Sequence, residues 1–234
     1  MRRYHRLCPS LAAASPARLG PHPFGAAFVL LSLACVLAAV APPPLIAQET
    51  ESQPEVSVAV PPDAEQIAAA VLAAPEDRRA EATVIGWRAD GSNVTLREGS
   101  NDIVCLADDP RDAALNIACY HRDLEPYMAR GRQLSFEGVQ GKERSDRRFA
   151  EIEAGELPMP AGPRALYVTT GRRYDPEKGE IEGAHTRWVL YVPGATAEEL
   201  GLPAGPTGGV APWLMGEGTP GAHIMITPPR DGSP

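Results

Sequence analysis

Three histidines lie in the body of the chain, His121, His185 and His223. Three imidazoles can hold a zinc ion and leave a fourth position for a water that the metal activates. Spacing argues against such a centre here. Each histidine stands alone, with no second histidine or carboxylate at ligand spacing. His121 follows Cys119 closely, so a bond at that cysteine would fix its position. His223 stands beside a short segment carrying Trp213 and Met215, and these four residues (His121, His223, Trp213 and Met215) are the candidates for a site. His185 shares a strand face with Arg187 and Tyr191, a pattern that reads as solvated. No set of catalytic, metal-binding or cofactor-binding residues can be named from spacing.

Cys105 and Cys119 are the two cysteines beyond the N-terminal region. Their spacing is not the C-x-x-C of redox or metal pairs, and a structural disulfide is the expectation. Closing a loop of about 15 residues would contribute roughly 3 kcal/mol in a chain-entropy picture. Asp102, Asp108, Asp109 and Asp112 form an acidic cluster that could hold calcium, but carboxylates in proline-containing loops usually cap turns. Asp90-Gly91-Ser92-Asn93 starts like a calcium loop and fails at its sixth and twelfth positions, Thr95 and Asn101.

Two glycine-rich strings also fail. Gly216-Glu217-Gly218-Thr219-Pro220-Gly221 has the dinucleotide-binding form, whose chemistry needs a helix N-terminus directly after it. Pro220 and the strand-like Ala222-His223-Ile224-Met225-Ile226 stand there instead. Gly138-Val139-Gln140-Gly141-Lys142 hints at a phosphate loop, but the positions that need glycine and Ser or Thr hold Phe136 and Glu143.

The elements that would position these residues are readable from periodicity and punctuation. Asp63-Ala64-Glu65-Gln66 reads as a capping box opening a helix over 64–74, with Pro75 as its stop. A strand meander follows: 82–88, with Thr83, Ile85 and Trp87 on one side, a turn at Asp90-Gly91, then 93–97, with Val94 and Leu96 inward, and 103–107. Residues 108–122 read as a loop tied back by Cys119. A helix is expected over 123–136, with Pro126 in its first turn and Leu124, Tyr127, Met128, Gly131 and Leu134 on one face. Gly131 there would let a neighbour approach closely. A charge-rich helix over 142–154 ends at Gly155. Strands are expected at 165–170, 184–192, 213–215 and 222–227, with one helical turn opened by Thr196 and Glu199. The order implies an α+β fold: a mainly antiparallel sheet with two to three helices in a single domain, 63–227.

The first 47 residues differ from the rest. They hold Arg2, Arg3, Arg6 and Arg18, no acid, and an apolar run from Ala26 to Ala41 broken only by Ser32. Basic head, apolar middle and small residues before a cut are the layout of a secretory signal, with cleavage expected after Ala47. Residues 48–62 read as a proline-rich linker and 228–234 as a disordered tail. The whole chain carries a formal charge of −8, and loss of the four leader arginines would leave −12. Such a domain repels nucleic acid, and no basic stripe with interleaved aromatics offsets this. After cleavage no membrane association is expected.

Several strings together resemble a group of exported bacterial proteins with no assigned activity: Thr95-Leu96-Arg97-Glu98-Gly99-Ser100-Asn101, Val104-Cys105-Leu106-Ala107-Asp108-Asp109-Pro110, Leu124-Glu125-Pro126-Tyr127-Met128-Ala129-Arg130-Gly131-Arg132, Ala211-Pro212-Trp213-Leu214-Met215 and Gly218-Thr219-Pro220-Gly221-Ala222-His223-Ile224-Met225. The resemblance covers roughly 82–227 and implies bacterial export of a single domain. It carries no activity, cofactor or site residue. The expectation is a periplasmic or secreted, non-catalytic domain that binds a ligand or an envelope protein. The alternative is a metal-assisted periplasmic hydrolase using His121 and His223.

Overall fold

A computed structural model describes residues 59–230. The leader, its cleavage point, most of the proline-rich linker and residues 231–234 lie outside the described residues. Among the described residues, no helix is long and apolar enough to cross a membrane.

The fold is α+β, as the order of elements implied. Eight strands form one mostly antiparallel sheet in the order β2-β1-β3-β4-β5-β8-β10-β9. These are β1 (Thr83–Trp87), β2 (Asn93–Arg97), β3 (Ile103–Leu106), β4 (Leu115–His121), β5 (Arg164–Gly171), β8 (His185–Tyr191), β9 (Trp213–Met215) and β10 (His223–Ile226). A two-residue pair, β6 (Tyr174–Asp175) and β7 (Glu180–Ile181), forms a small second sheet. The helices are α1 (Asp63–Ala70), α2 (Glu125–Phe136), α3 (Gly141–Glu153) and α4 (Ala197–Leu200).

Three expectations need correction. The first strands are not a meander, because β3 skips β2 and pairs with β1 in parallel, Val84 opposite Cys105. Gly99 makes the crossing possible: a Cβ there would sit 2.3–2.4 Å from the backbone of Glu81, Ala82 and Thr83. Residues 108–122 are not all loop. Residues 115–121 form β4, which pairs with β3 and β5 at the centre of the sheet. Its apolar alternation, Leu115, Ile117 and Cys119 buried with Asn116 outward, was masked by the acidic turn before it. The capping box at α1 is also absent. Pro62 is the N-cap, without a side-chain hydrogen bond, and Asp63 instead pairs with Arg88 at 2.5 Å.

Two cores cover the two faces of the sheet. On one, α1 and the 3₁₀ turn after it bring Ala70, Ala73 and Ala74 onto Val84, Ile117 and the Cys105–Cys119 disulfide. The cysteines are directly opposed on β3 and β4, with sulfurs 2.09 Å apart. Gln66, buried in α1, accepts from the Trp87 amide at 2.9 Å and donates to the Trp87 carbonyl at 3.3 Å, so it satisfies the end of β1 beyond its pairing with β3. On the other face, α2 and α3 cover Ile85, Val104, Val189 and Tyr191 with Leu124, Tyr127 and Phe149. The face of β8 that carries His185 and Arg187 is therefore not solvated throughout: Val189 and Tyr191 on it are core.

Candidate functional site

The four residues singled out by sequence do not meet in one place. His121 ends β4, where its Nδ1 accepts from the Asp123 amide at 3.1 Å and its Nε2 lies 3.4 Å from Asp102. That ring caps the 3₁₀ turn leading into α2. His223 opens β10 and is opposite Met215 on β9, while Trp213 is opposite Met225. Three strand spacings separate β4 from β10, roughly 14 Å. His223 packs on Tyr191 at 5.1 Å between ring centroids, and its Nδ1 lies 2.7 Å from the Gly221 carbonyl. Since that oxygen can only accept, the proton is on Nδ1. Burial lowers the His223 pKa against this carbonyl's opposing pull. Met215 is exposed and Trp213 half-buried. Among the described residues, no group of three or more His, Cys, Asp or Glu side chains is placed to hold a metal ion.

A different place concentrates chemistry. Between the sheet and the α2–α3 pair lies a cavity of about 600 Å³. None of the four sequence candidates lines it. Four arginines do, Arg111, Arg132, Arg144 and Arg148, together with two aspartates, Asp109 and Asp112. In an acidic chain this is a local inversion of charge.

The four arginines fall into two classes. Arg111 is held by Asp109 at 2.6 Å and lies over the Trp87 ring at 4.9 Å. Arg132 is held by Glu125 at 2.6 Å, and its Nη1 donates to the Tyr120 hydroxyl, which in turn donates to Glu125 at 2.5 Å. Burial pushes the Tyr120 hydroxyl well above the usual phenol range, so it remains a donor. Both arginines are neutralised.

Arg144 and Arg148 are not. Among the described residues, neither forms a salt bridge with a carboxylate. Arg148 is only 8% exposed, and it reaches two carbonyls, Tyr127 at 3.3 Å and Arg144 at 3.4 Å. Its guanidinium carbon lies 3.9 Å from the Tyr127 ring centroid, a cation–π contact that partly replaces a counter-ion. Desolvation lowers its pKa; the Tyr127 and Tyr191 hydroxyls oppose this, the nearby Arg144 charge adds to it, and Glu151, though bonded to Arg130, opposes it weakly from a distance. Arg144 donates from Nη1 to Ser135 Oγ at 2.7 Å, while its Nε is buried with no hydrogen-bond partner among the described residues. A buried donor left unmade costs about 1–3 kcal/mol.

The local sequence builds this arrangement. Arg144 and Arg148 stand four residues apart on α3 and so share a face. On the same helix Lys142 pairs with Asp146 and Arg147 with Glu143, each at i, i+4. Arg130 of α2 takes Glu151 at 2.6 Å, which leaves Arg148 without that acid. Gly131 supplies the room: a Cβ there would be 2.9 Å from Arg148 Nη1. The close approach expected at Gly131 is thus the seat of an arginine. A like-charged i, i+4 pair whose one acid at helical spacing, Glu151 at i+3 of Arg148, goes to Arg130 is the signal by which the sequence could in part have disclosed the site. Comparison of the chain with protein-family models, curated proteins and solved structures returns no match.

Proposed function

We propose that this is an exported, periplasmic or secreted domain that binds a small organic ligand in the cavity under α2 and α3. Export is supported by the basic, acid-free leader with its apolar run, and by the cysteine pair, which is at bonding distance. Binding is supported above all by the cavity itself. Its volume of about 600 Å³ falls in the range of small-molecule sites, roughly 300–1,000 Å³. Its walls combine apolar surface from Met128, Leu166 and Val168 with polar groups supplied by the sheet and both helices.

A metal-assisted hydrolase has no comparable support, since His121 and His223 are engaged separately and stand three strands apart. The test is a thermal-shift screen of small metabolites against the periplasmic protein and a Leu166→Trp variant that fills the cavity. Stabilisation of the wild type by at least one compound, absent in the variant, is expected. Equal stabilisation of both proteins by every active compound would move the site elsewhere and overturn the proposal.

A further inference from the structure

The uncompensated pair says what kind of ligand the cavity takes. A buried guanidinium without a carboxylate is costly in isolation, because burial penalises the charged form unless it is paired. Arg148 is nine-tenths buried, and Arg144 carries a buried, unmade Nε–H. The protein does not lack acids to neutralise them, since Glu151 follows Arg148 by three residues on α3 and is committed to Arg130. Asp109 and Asp112, which also line the cavity, include one already bound to Arg111.

Resting on the reading of this cavity as a ligand site, we infer that its ligand carries an anionic oxygen headgroup, a carboxylate or a phosphate monoester, on an apolar body. Arg144 and Arg148 take the headgroup, and Met128, Leu166 and Val168 take the body. Several features agree on this. Planar guanidinium forks match both anions in a bidentate manner. The two forks project from one face of α3 and are steadied by Ser135 and by the Tyr127 carbonyl and ring. Arg111 and Arg132, each neutralised by its own acid, do not compete for the same seat.

Calorimetric titration of the full periplasmic protein with octanoate, octyl phosphate and octan-1-ol tests this. At least one anion is expected to bind one-to-one and at least tenfold more tightly than the alcohol. The ratio of octanoate to octyl phosphate tells which headgroup is preferred. Arg144→Gln and Arg148→Gln should each weaken the preferred anion about tenfold and leave the alcohol unchanged, and Leu166→Trp should abolish all binding. Arg144 is only half-buried, so its variant remains informative if Arg148→Gln fails to fold. Equal binding of anion and alcohol, unchanged in both arginine variants but lost in Leu166→Trp, would overturn the anion assignment and leave the cavity standing. Binding that survives Leu166→Trp would overturn both, and failure of both anions to bind would overturn the assignment.

Discussion

The two faces of the sheet solve the same packing problem differently. Under α1, small side chains bring helix and sheet together: Ala70, Ala73 and Ala74 lie on Val84, Ile117 and the disulfide, all almost fully buried. Under α2 and α3, larger residues hold the helices off the sheet. Tyr120, Tyr191 and four arginines surround a cavity instead of closing it. One face is built for cohesion and the other tolerates uncompensated charge. Protein interiors seldom keep a buried guanidinium without a carboxylate, so the second face marks where stability has been set against something else.

That contrast can be broken by substitution. The largest effect is expected on the alanine-rich face. Ile117 is fully buried, and Ile117→Ala should cost about 2–5 kcal/mol of folding stability. Urea unfolding measures it, and a loss below about 1 kcal/mol would mean this face is not the cohesive one. Arg148→Met should behave in the opposite way. Removing an unpaired buried charge while keeping side-chain volume is often neutral or stabilising, so stability should stay within roughly 1 kcal/mol of wild type while anion binding falls. A loss of 3 kcal/mol or more would make Arg148 a structural member of the core.

The smallest expected effect is electrostatic and sits at the rim. Asp108 is half-buried, lines a second cavity of about 280 Å³ and accepts from the Asn116 amide at 2.7 Å. Burial pushes its carboxyl up to about 6, with Asp112 and Asp109 adding to the rise and the Asn116 amide opposing it. An unfolded aspartate titrates near 4. The folded state therefore holds this proton more tightly, and this group's contribution to stability falls as pH rises from about 4 to about 6. Solvent screening at a half-exposed group keeps the effect small, under about 1 kcal/mol. Asp108→Asn should remove that slope. The check is the wild-type minus variant unfolding free energy across this window, which should fall as pH rises. A difference that is flat, or that rises with pH, would contradict the assignment.

How much of this was legible in the sequence differs by face and by level. The helix faces were readable because Leu124, Tyr127, Gly131 and Leu134 repeat at helical spacing, and all four are buried. The turn at Thr196 to Gly201 was readable because its chemistry is local: the capping box forms and Gly201 is left-handed, with φ of 64°. Strand order was not readable. Parallel pairing of β1 with β3 depends on Gly99 passing against the Glu81–Thr83 backbone, a contact between distant residues with no periodic mark. The arginine cavity went unread for a related reason. Histidines and Trp213 drew attention by residue type, whereas the cavity is defined by which arginines lack acids. That depends on Glu125, Asp109 and Glu151 choosing other partners in space. Only the i, i+4 spacing of Arg144 and Arg148 lay open to reading.

The most direct test of the cavity's role follows its arginine Nε–Hε groups by ¹⁵N–¹H spectroscopy during titration with octyl phosphate and octanoate. The Arg144 and Arg148 signals are expected to shift saturably with at least one of them, and those of Arg111 and Arg132, already bound to Asp109 and Glu125, to move less. Shifts confined to exposed arginines such as Arg147, or no saturable shift with either anion, would contradict the account.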